Sequence, residues 1–254
     1  MNSPVEIERH GAILVIAINR PAQRNAVNQA VSLAIADALD RLDADPALRV
    51  GIITGRGGSF CAGMDLKAFV DGERPEIKGR GFAGVTESPP KKPLIAAVEG
   101  FALAGGCELA LACDLIVAAE TAWFGLPEAT RGLVAGSGGL VRLPRRIPEA
   151  IALEYALTGE RMDAATAHRW GLVNRLTSEG GALEGAIALA TVITANAPLS
   201  VEMTKRIIGE SRSWPEGTIW EDQRPLVELV LASGDAKEGA RAFSEKRAPD
   251  WKGQ

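Results

Sequence analysis

Four runs of hydrophobic residues, many of them β-branched, stand out in the N-terminal half of the chain. They cover residues 12–18, 50–54, 94–98 and 115–118. Short apolar runs without polar alternation are typical of strands that are buried on both faces of a sheet. The pattern therefore predicts an α/β fold with a buried sheet in its core.

A helix is predicted between the first two runs. Its apolar positions recur at helical spacing and are Val31, Ile35, Ala38, Leu39 and Leu42. The charged residues between them fall on the opposite side, as expected for a helix that packs one face on the core.

After about residue 136 the pattern becomes mostly helical. Helices are predicted at residues 148–159 and 163–171, the second beginning at an N-cap, Asp163, and ending at Gly171. A short strand is predicted at residues 171–176, followed by helices at 182–195, 199–210 and 217–231. Exposed apolar positions on these last helices favour packing against another subunit.

The segment 70–93 is rich in glycine, proline and charged residues. This composition predicts a mobile loop, and loops of this kind commonly cover a functional site.

Composition restricts the possible functions. The chain has 254 residues, 46% hydrophobic and 24% charged, which fits one soluble domain with a smaller appendage. A net charge of −4 gives little attraction to nucleic acid or to an anionic membrane, so neither is an expected partner. The first residues lack a signal-peptide pattern and no apolar run approaches about 20 residues, which favours a cytoplasmic enzyme.

Several catalytic chemistries do not fit the residues present. The chain has only two histidines, His10 and His168, and no GxSxG motif, so a serine-histidine-aspartate triad is not expected. Cys61, Cys107 and Cys113 lie among small apolar residues, which predicts reduced core thiols and no metal site. The glycine cluster at 132–140 lacks the Lys-Ser/Thr pair of a P-loop.

Two glycine-containing turns, at residues 55–67 and 99–114, each follow a predicted strand. Glycine lets the backbone approach a ligand closely, and the amides at the start of a helix point towards it. Two such turns that face each other can present two N–H groups to one developing oxyanion.

Four segments carry a specific resemblance: FCAGMDLK, AGGCELALACD, FGLPEATRGLVAGSGGLVRLPR and ALTGERMDAATAHRWGLVNR. In order and separation they resemble the enoyl-CoA hydratase/isomerase (crotonase) superfamily, and the likeness spans nearly the whole chain. It implies the crotonase (ClpP-like) spiral of ββα units over residues 1–196 and a C-terminal helical trimerisation region over 197–254. It further implies a homotrimer or hexamer, no metal or other cofactor, coenzyme A carried in by the substrate, and a place in fatty acid metabolism.

The resemblance also assigns site residues. The oxyanion hole would be the backbone N–H groups of Met64 and Gly105, and the catalytic carboxylates would be Glu108 and Glu128. Ala104 stands where these enzymes commonly have a further glycine, which should leave the oxyanion amide intact and narrow the pocket. The implied coenzyme A site comprises Arg24, Ala26, Ala62, Met64, Asp65, Leu66, Lys67 and Gly105.

The chemistry of hydration agrees with two carboxylates. An alkene conjugated to a thioester accepts water at Cβ when the charge that arrives on the thioester oxygen is stabilised. One carboxylate then takes a proton from water while the other supplies one to Cα. We expect an enoyl-CoA hydratase, a hydro-lyase, with Glu128 as the base and Glu108 as its partner, or the reverse.

Other functions remain open at this point. GFAG at 81–84 and the ending EKRAPDWKG resemble carnitinyl-CoA (crotonobetainyl-CoA) dehydratase, whose trimethylammonium substrate calls for an aromatic or acidic patch such as Trp123 or Glu87. An enoyl-CoA isomerase needs only one base. A non-catalytic acyl-CoA-binding or RNA-associated protein is disfavoured by the negative net charge and by the presence of both carboxylates.

Overall fold

Residues 3–253, which the computed structural model describes, form an α/β fold around a six-stranded sheet. The strands are β1 (Val5–His10), β2 (Ile13–Ile18), β3 (Val50–Gly55), β4 (Glu76–Ile77), β5 (Gly81–Phe82), β6 (Leu94–Val98), β7 (Phe101–Leu103), β8 (Leu115–Ala119), β9 (Trp123–Gly125), β10 (Met162–Asp163) and β11 (Arg175–Thr177). The helices are α1 (Gln29–Ala44), α2 (Leu66–Val70), α3 (Gly105–Ala112), α4 (Gly139–Arg142), α5 (Glu149–Thr158), α6 (Ala164–Arg169), α7 (Ala182–Thr194), α8 (Pro198–Glu210), α9 (Ile219–Leu231) and α10 (Gly234–Glu245).

The large sheet has the strand order β1-β2-β3-β6-β8-β11. β1 pairs antiparallel with β2, and all the other neighbours are parallel. The four apolar runs of the sequence form β2, β3, β6 and β8, which are almost entirely buried. The predicted buried sheet is therefore confirmed.

Helices cover both faces of this sheet. α1 packs its predicted apolar face, from Val31 to Leu42, into the main core. On the other face, Ala182, Ala186 and Ala190 of α7 pack against β2, β3, β6 and β8. Because these three alanines are four residues apart, they form one stripe of small side chains that lets α7 lie close to the sheet.

A smaller sheet of order β10-β9-β7 continues a repeating pattern. β6 is followed by β7 and α3, and β8 by β9 and a 3₁₀ segment, Pro127–Arg131. After β3, a bridge between Cys61 and Ala102 takes the place of the second strand before α2. Two extended segments and a helix thus recur along the chain, which confirms the predicted ββα spiral.

The distal helices correspond to α5 to α9. Asp163 caps α6 as predicted, since its carboxylate accepts a hydrogen bond from Thr166 N at 2.7 Å. The strand predicted at 171–176 is wrong in its start, because Leu172 N and Val173 N bond to Ala167 O and the strand begins only at Arg175. The patterns described above also do not predict β1 or α10.

The loop predicted at 70–93 is only partly a loop. β4 and β5 form a short hairpin within it, and the turn that follows β5 is buried. Phe82, Ala83 and Val85 join the main core, so the second half of the segment is a packed wall of the molecule.

The chain bends by 108° between α7 and α8. The predicted boundary at residue 197 falls at this bend, and the division into two regions stays a prediction. Within residues 3–253, no single helix is long and apolar enough to cross a membrane, and this bent pair alone passes by length and composition.

Candidate active site

The segment around Met64 pairs with Val27 in such a way that the N–H group of Met64 points away from Val27. Met64 and Val27 form a parallel bridge. Val27 N donates to Gly63 O at 2.8 Å, and Asp65 N donates to Val27 O at 2.9 Å. Because successive peptide groups of an extended chain point in opposite directions, the N–H of Met64 faces the other side.

The first turn of α3 supplies the second amide. Glu108 N donates to Ala104 O at 3.0 Å, which starts the helix, and Gly105 is its first residue. The first N–H groups of a helix have no partner within the helix. Neither Met64 N nor Gly105 N finds an acceptor among residues 3–253. Both amides are therefore available to a ligand.

Close packing brings these two segments together. A Cβ atom placed on Gly63 would lie 3.1 Å from Gly105 N, and one on Gly105 would lie 2.7 Å from the Phe82 ring. A Cβ atom on Gly106 would lie 2.3 Å from Cys61 O. Only glycine fits at Gly105 and Gly106 without displacing these neighbours, so Gly106 permits the close contact between the two turns and Gly105 permits the contact with Phe82.

Glu108 is buried and held by a second glycine turn. Its Oε1 atom accepts hydrogen bonds from Ser137 N at 2.7 Å and from Gly139 N at 2.9 Å. Its side chain is only 3% exposed. Burial raises the pKa of Glu108, while the two amides and the positive charge of Arg142 oppose that rise. The glycine cluster rejected as a phosphate loop is thus a cradle for a carboxylate.

Glu128 lies in the 3₁₀ segment Pro127–Arg131 and is held differently. Its Oε2 atom is buried and has no hydrogen-bond partner among residues 3–253. Burial raises the pKa of Glu128, and the negative charge of Glu108 raises it further. The two carboxylates are therefore close enough to interact electrostatically, and a buried oxygen of Glu128 is left to accept a proton or a hydrogen bond.

Glu128 borders an apolar cavity of about 610 Å³. Most of its lining consists of hydrocarbon side chains, including Leu126, Leu133, Val134, Leu140, Leu143 and Leu153. Within residues 3–253, no aromatic side chain lines this cavity. Such a cavity suits a hydrocarbon chain.

The segments predicted to hold coenzyme A lie side by side. Ala62 N donates to Arg24 O at 3.1 Å, and the Arg20 guanidinium pairs with Asp65 at 2.8 Å. Asp65 also caps α2 by accepting from the amides of Lys67 and Ala68. Ala26 is buried, whereas Leu66 and Lys67 are exposed on α2. The structure thus groups the residues of this predicted site.

Four supporting residues are not predicted by the sequence patterns. Asn25 is fully buried with a positive φ of 56°, and its side chain bonds to Arg20 N, Arg56 O and Ser59 O. Phe82 covers Gly105, and the amides of Ser137 and Gly139 hold Glu108. An asparagine beside the PAQR turn is the signal for the first, because asparagine tolerates positive φ.

The cysteines and histidines have structural settings. Cys61, Cys107 and Cys113 are buried and reduced, and burial raises the pKa of each thiol to about 12. His10 lies 3.4 Å from a Glu8 oxygen and His168 lies 2.9 Å from Val173 O. Among residues 3–253, no group of three histidine, cysteine or acidic side chains could hold a metal ion.

Two backbone amides that have no acceptor among residues 3–253 thus accompany the buried carboxylate of Glu108 and the half-buried Glu128, whose Oε2 atom is buried. The sequence profile of the enoyl-CoA hydratase/isomerase family matches residues 8–254. The chain belongs to this family. The sequence resemblance to the crotonase superfamily is thereby confirmed.

Relatives within the family fall into two groups by name. A carnitinyl-CoA dehydratase of Salmonella typhi is 46% identical, with 100% of both chains covered. Among solved structures, enoyl-CoA hydratase EchA1 from Mycobacterium marinum is 61% identical over 100% of both chains, with a TM-score of 0.98. Carnitinyl-CoA hydratase from Mycobacterium avium is 48% identical over 100% of both chains, with a TM-score of 0.80.

The aromatic residue considered for a trimethylammonium group is already engaged. The guanidinium of Arg161 lies 3.8 Å from the Trp123 ring centroid, and the Phe101 ring lies 5.5 Å away. Glu87, the acidic candidate, borders a neighbouring cavity of about 380 Å³, which shares Val141 and Arg145 with the larger one. In this family member, Trp123 therefore already binds a cation from its own chain.

Proposed function

We propose that this protein is an enoyl-CoA hydratase, which reversibly adds water to a 2-enoyl-CoA to give a 3-hydroxyacyl-CoA. The single observation that supports this best is the presence of two amides without an acceptor among residues 3–253, Met64 N and Gly105 N, beside the buried Glu108 and the buried Oε2 atom of Glu128. A thioester hydratase needs both an oxyanion site and two proton-transfer groups.

In this proposal the thioester oxygen binds at Met64 N and Gly105 N. Water attacks Cβ, and the electron pair of the double bond moves through Cα to that oxygen, giving an enolate. The two N–H groups stabilise the new negative charge, and loss of one such donor typically costs about 3–4 kcal/mol. The enolate then collapses as Cα takes up a proton.

The carboxylates divide the proton transfers between them. Glu128 receives the proton of the attacking water, since its Oε2 atom has no hydrogen-bond partner in the described part of the chain. Glu108 starts in its protonated form, is oriented by Ser137 N and Gly139 N, positions the water and supplies its proton to Cα. Exchange with solvent after the reaction removes the proton from Glu128 and returns one to Glu108. Burial raises the pKa of both groups towards neutrality, where a carboxyl group exchanges protons most effectively.

The coenzyme A portion would lie along the paired segments at 24–26 and 62–67. The support is their direct contact through the Ala62 N to Arg24 O hydrogen bond. Exposed Arg24 and Lys67 would neutralise phosphate charge, while the cap at Asp65 fixes the start of α2.

The lining of the larger cavity favours a hydrocarbon acyl chain over a quaternary ammonium group. A cation of that kind prefers aromatic faces, and the cavity at Glu128 has a hydrocarbon lining. Carnitinyl-CoA dehydratase is the second candidate, because a relative of that name is 46% identical over the whole chain and Glu87 borders the smaller cavity.

We further propose a homotrimer or a dimer of trimers, assembled by residues 197–254. The support is the exposure of large apolar side chains on α9 and α10, with Trp220 at 73%, Leu231 at 68% and Phe243 at 88%. Exposed apolar surface of this kind is typical of subunit interfaces. Light scattering coupled to size-exclusion chromatography would give the subunit number, and a monomer would contradict the proposal.

Initial rates with crotonyl-CoA, longer 2-enoyl-CoA thioesters and crotonobetainyl-CoA test the proposed function. We expect the 2-enoyl-CoA series to be hydrated fastest. Glu108→Gln and Glu128→Gln should each lower kcat by about 10²- to 10⁴-fold, whereas Glu154→Gln, an exposed glutamate on α5, should leave it unchanged.

Three outcomes would overturn parts of this assignment. A preference for crotonobetainyl-CoA would favour the second candidate. Loss of activity in only one of the two glutamine variants, with transfer of the double bond, would indicate an isomerase. Binding of acyl-CoA without turnover of any thioester would indicate a non-catalytic protein.

A further inference from the structure

Arg142, the last residue of α4, joins two segments that are far apart in sequence. Its guanidinium donates to Ser137 O at 3.3 Å and, through the other terminal nitrogen, to Thr86 O. Thr86 belongs to the buried turn that also carries Phe82, and Phe82 covers Gly105. One side chain thus connects the wall of the oxyanion site to the glycine turn at 137–139.

The same turn holds Glu108 from its other side. A Cβ atom on Gly138, which has a φ of 99°, would lie 2.1 Å from the Arg142 guanidinium. One on Gly139 would lie 2.9 Å from Cγ of Glu108. The turn therefore fills the space between a guanidinium and a carboxylate, with no room for a side chain at either glycine.

We propose that Arg142 is a positioning residue for Glu108: it fixes the turn whose two amides orient that carboxylate and places a positive charge beside it. The proposal deepens the proposed function and rests on it for its kinetic consequences. A planar guanidinium can bond to two carbonyl groups at once, which a lysine ammonium on a flexible stem does less well.

The charged surroundings of Glu108 make the effect measurable. The ionisable groups that face it are Arg142 from α4, Glu128 from the 3₁₀ segment and the Cys107 thiol on its own helix. Arg142 favours the ionised carboxylate, and Glu108 in turn favours the charged guanidinium. Removing the positive charge must therefore raise the pKa of Glu108.

Arg142→Gln, Arg142→Lys and Arg146→Gln form a matched set. Arg146 is also partly buried and donates to a backbone carbonyl, that of Cys113, but it does not contact the 137–139 turn. We expect Arg142→Gln to lower kcat by about 10- to 100-fold with little change in KM. The limb of the pH–rate profile that reports Glu108 should move to higher pH.

Arg142→Lys keeps the charge and loses the fork. It should restore the wild-type pH profile and recover only part of kcat, which a general loss of stability would not produce. It also carries the test if Arg142→Gln does not fold. In the Glu108→Gln background, Arg142→Gln should add little, because a residue that acts through Glu108 has nothing left to position.

An activity-free measurement separates this proposal from the proposed function. The ¹³C chemical shift of the Glu108 carboxyl group, assigned with Glu108→Gln, gives its pKa in wild type and in Arg142→Gln. Equal values, or equal kinetic losses in Arg142→Gln and Arg146→Gln, would overturn the positioning role. If no thioester is hydrated by the wild type, the proposed function fails, and the carboxyl titration still decides the role of Arg142.

Discussion

The two walls of the candidate site are built from different material. On one wall, which we call the oxyanion wall after its proposed role, two turns of backbone meet at Gly63 and Gly105. A Cβ atom on Gly63 would lie 3.1 Å from the amide nitrogen of Gly105. On the other wall, the carboxylate wall, the candidate catalytic groups are the side chains of Glu108 and Glu128, both with a raised pKa. The proposed role of the oxyanion wall depends only on where its N–H groups lie. The proposed role of the carboxylate wall depends both on where the carboxyl groups lie and on whether they are protonated.

Substitutions on the two walls should therefore affect the rate and its pH dependence differently. Peptide N–H groups do not titrate, so changes at the oxyanion wall should lower the rate equally at every pH. Changes at the carboxylate wall should alter the pH dependence as well. Substitutions of single glycines can separate these effects, because each wall has a glycine at its closest contact.

Among the glycine substitutions, the largest effect is expected at the oxyanion wall, for Gly63→Ala. The added methyl would lie 3.1 Å from Gly105 N and from Leu103 O, and Gly63 has a φ of 98°. We expect kcat to fall by about 10²- to 10³-fold, as for loss of an oxyanion donor, by the same factor from low to high pH.

Gly72→Ala is its control. Gly72 has a similar φ of 92° and nothing within 4 Å of an added Cβ atom, so it bears the same backbone strain without the contact. A pH-dependent loss in Gly63→Ala, or an equal loss of kcat in Gly72→Ala, would contradict the distinction between the walls.

A smaller effect is expected at the carboxylate wall, for Gly139→Ala. Its methyl would lie 2.9 Å from Cγ and 3.1 Å from Oε1 of Glu108, so the carboxylate must move and lose an N–H partner. We expect kcat to fall by about 10- to 100-fold, with an upward shift of the Glu108 limb of the pH profile.

Gly136→Ala in the same turn meets no atom closer than Val134 O at 3.9 Å. It should retain both kcat and the pH profile of the wild type. If the two alanine variants behaved alike, the turn would be responding to any substitution and the cradle would not be specific to Gly139.

The smallest effect concerns stability, for Glu128→Gln. Because burial raises the pKa of Glu128 above its ordinary value of 4.5, the folded protein binds this proton more tightly than the unfolded chain. Wild-type stability therefore decreases as pH rises from 4.5 through the raised pKa. Glutamine has no charge to bury, so Tm should exceed that of wild type by roughly 2–4 °C at high pH.

The difference in Tm between Glu128→Gln and wild type should vanish at low pH, where the wild-type carboxyl group is neutral. Calorimetry at a series of pH values measures it, with the exposed Glu154→Gln as the control that shows no such trend. A difference that is constant with pH would mean that packing, and not charge, separates the two proteins.

The hydrophobic pattern of the sequence predicts the strands that are buried on both faces of the sheet. β2, β3, β6 and β8 are apolar throughout and are buried on both faces, so the run of hydrophobic residues alone identifies them. β1 lies at the sheet edge and carries polar residues on its exposed face, and α10 is rich in charged residues. Hydrophobic residues alone therefore predict neither element.

The site was predicted only where a motif accompanies each residue. The GGCEL and FGLPE segments identify Glu108 and Glu128. In the structure, Oε1 of Glu108 accepts a buried hydrogen bond from Gly139 N, and Oε2 of Glu128 is buried. Ser137 and Gly139 were missed, because their bonds to Glu108 span about thirty residues of sequence. Hydrogen bonds of backbone amides leave no trace in residue identity, apart from the glycine that the close contact requires.

Ala104 has a strained backbone conformation beside the candidate site. It is the N-cap residue of α3 and has a φ of 49° and a ψ of −127°, a conformation that suits glycine and costs a residue with a side chain on the order of 1–3 kcal/mol. Its methyl group also lies against the turn at Gly63, 3.1 Å from an added Cβ atom there. An exchange to glycine would relax this backbone strain and remove the methyl group that lies against the turn at Gly63, so one substitution would change both the stability of the fold and the packing beside the Gly105 amide.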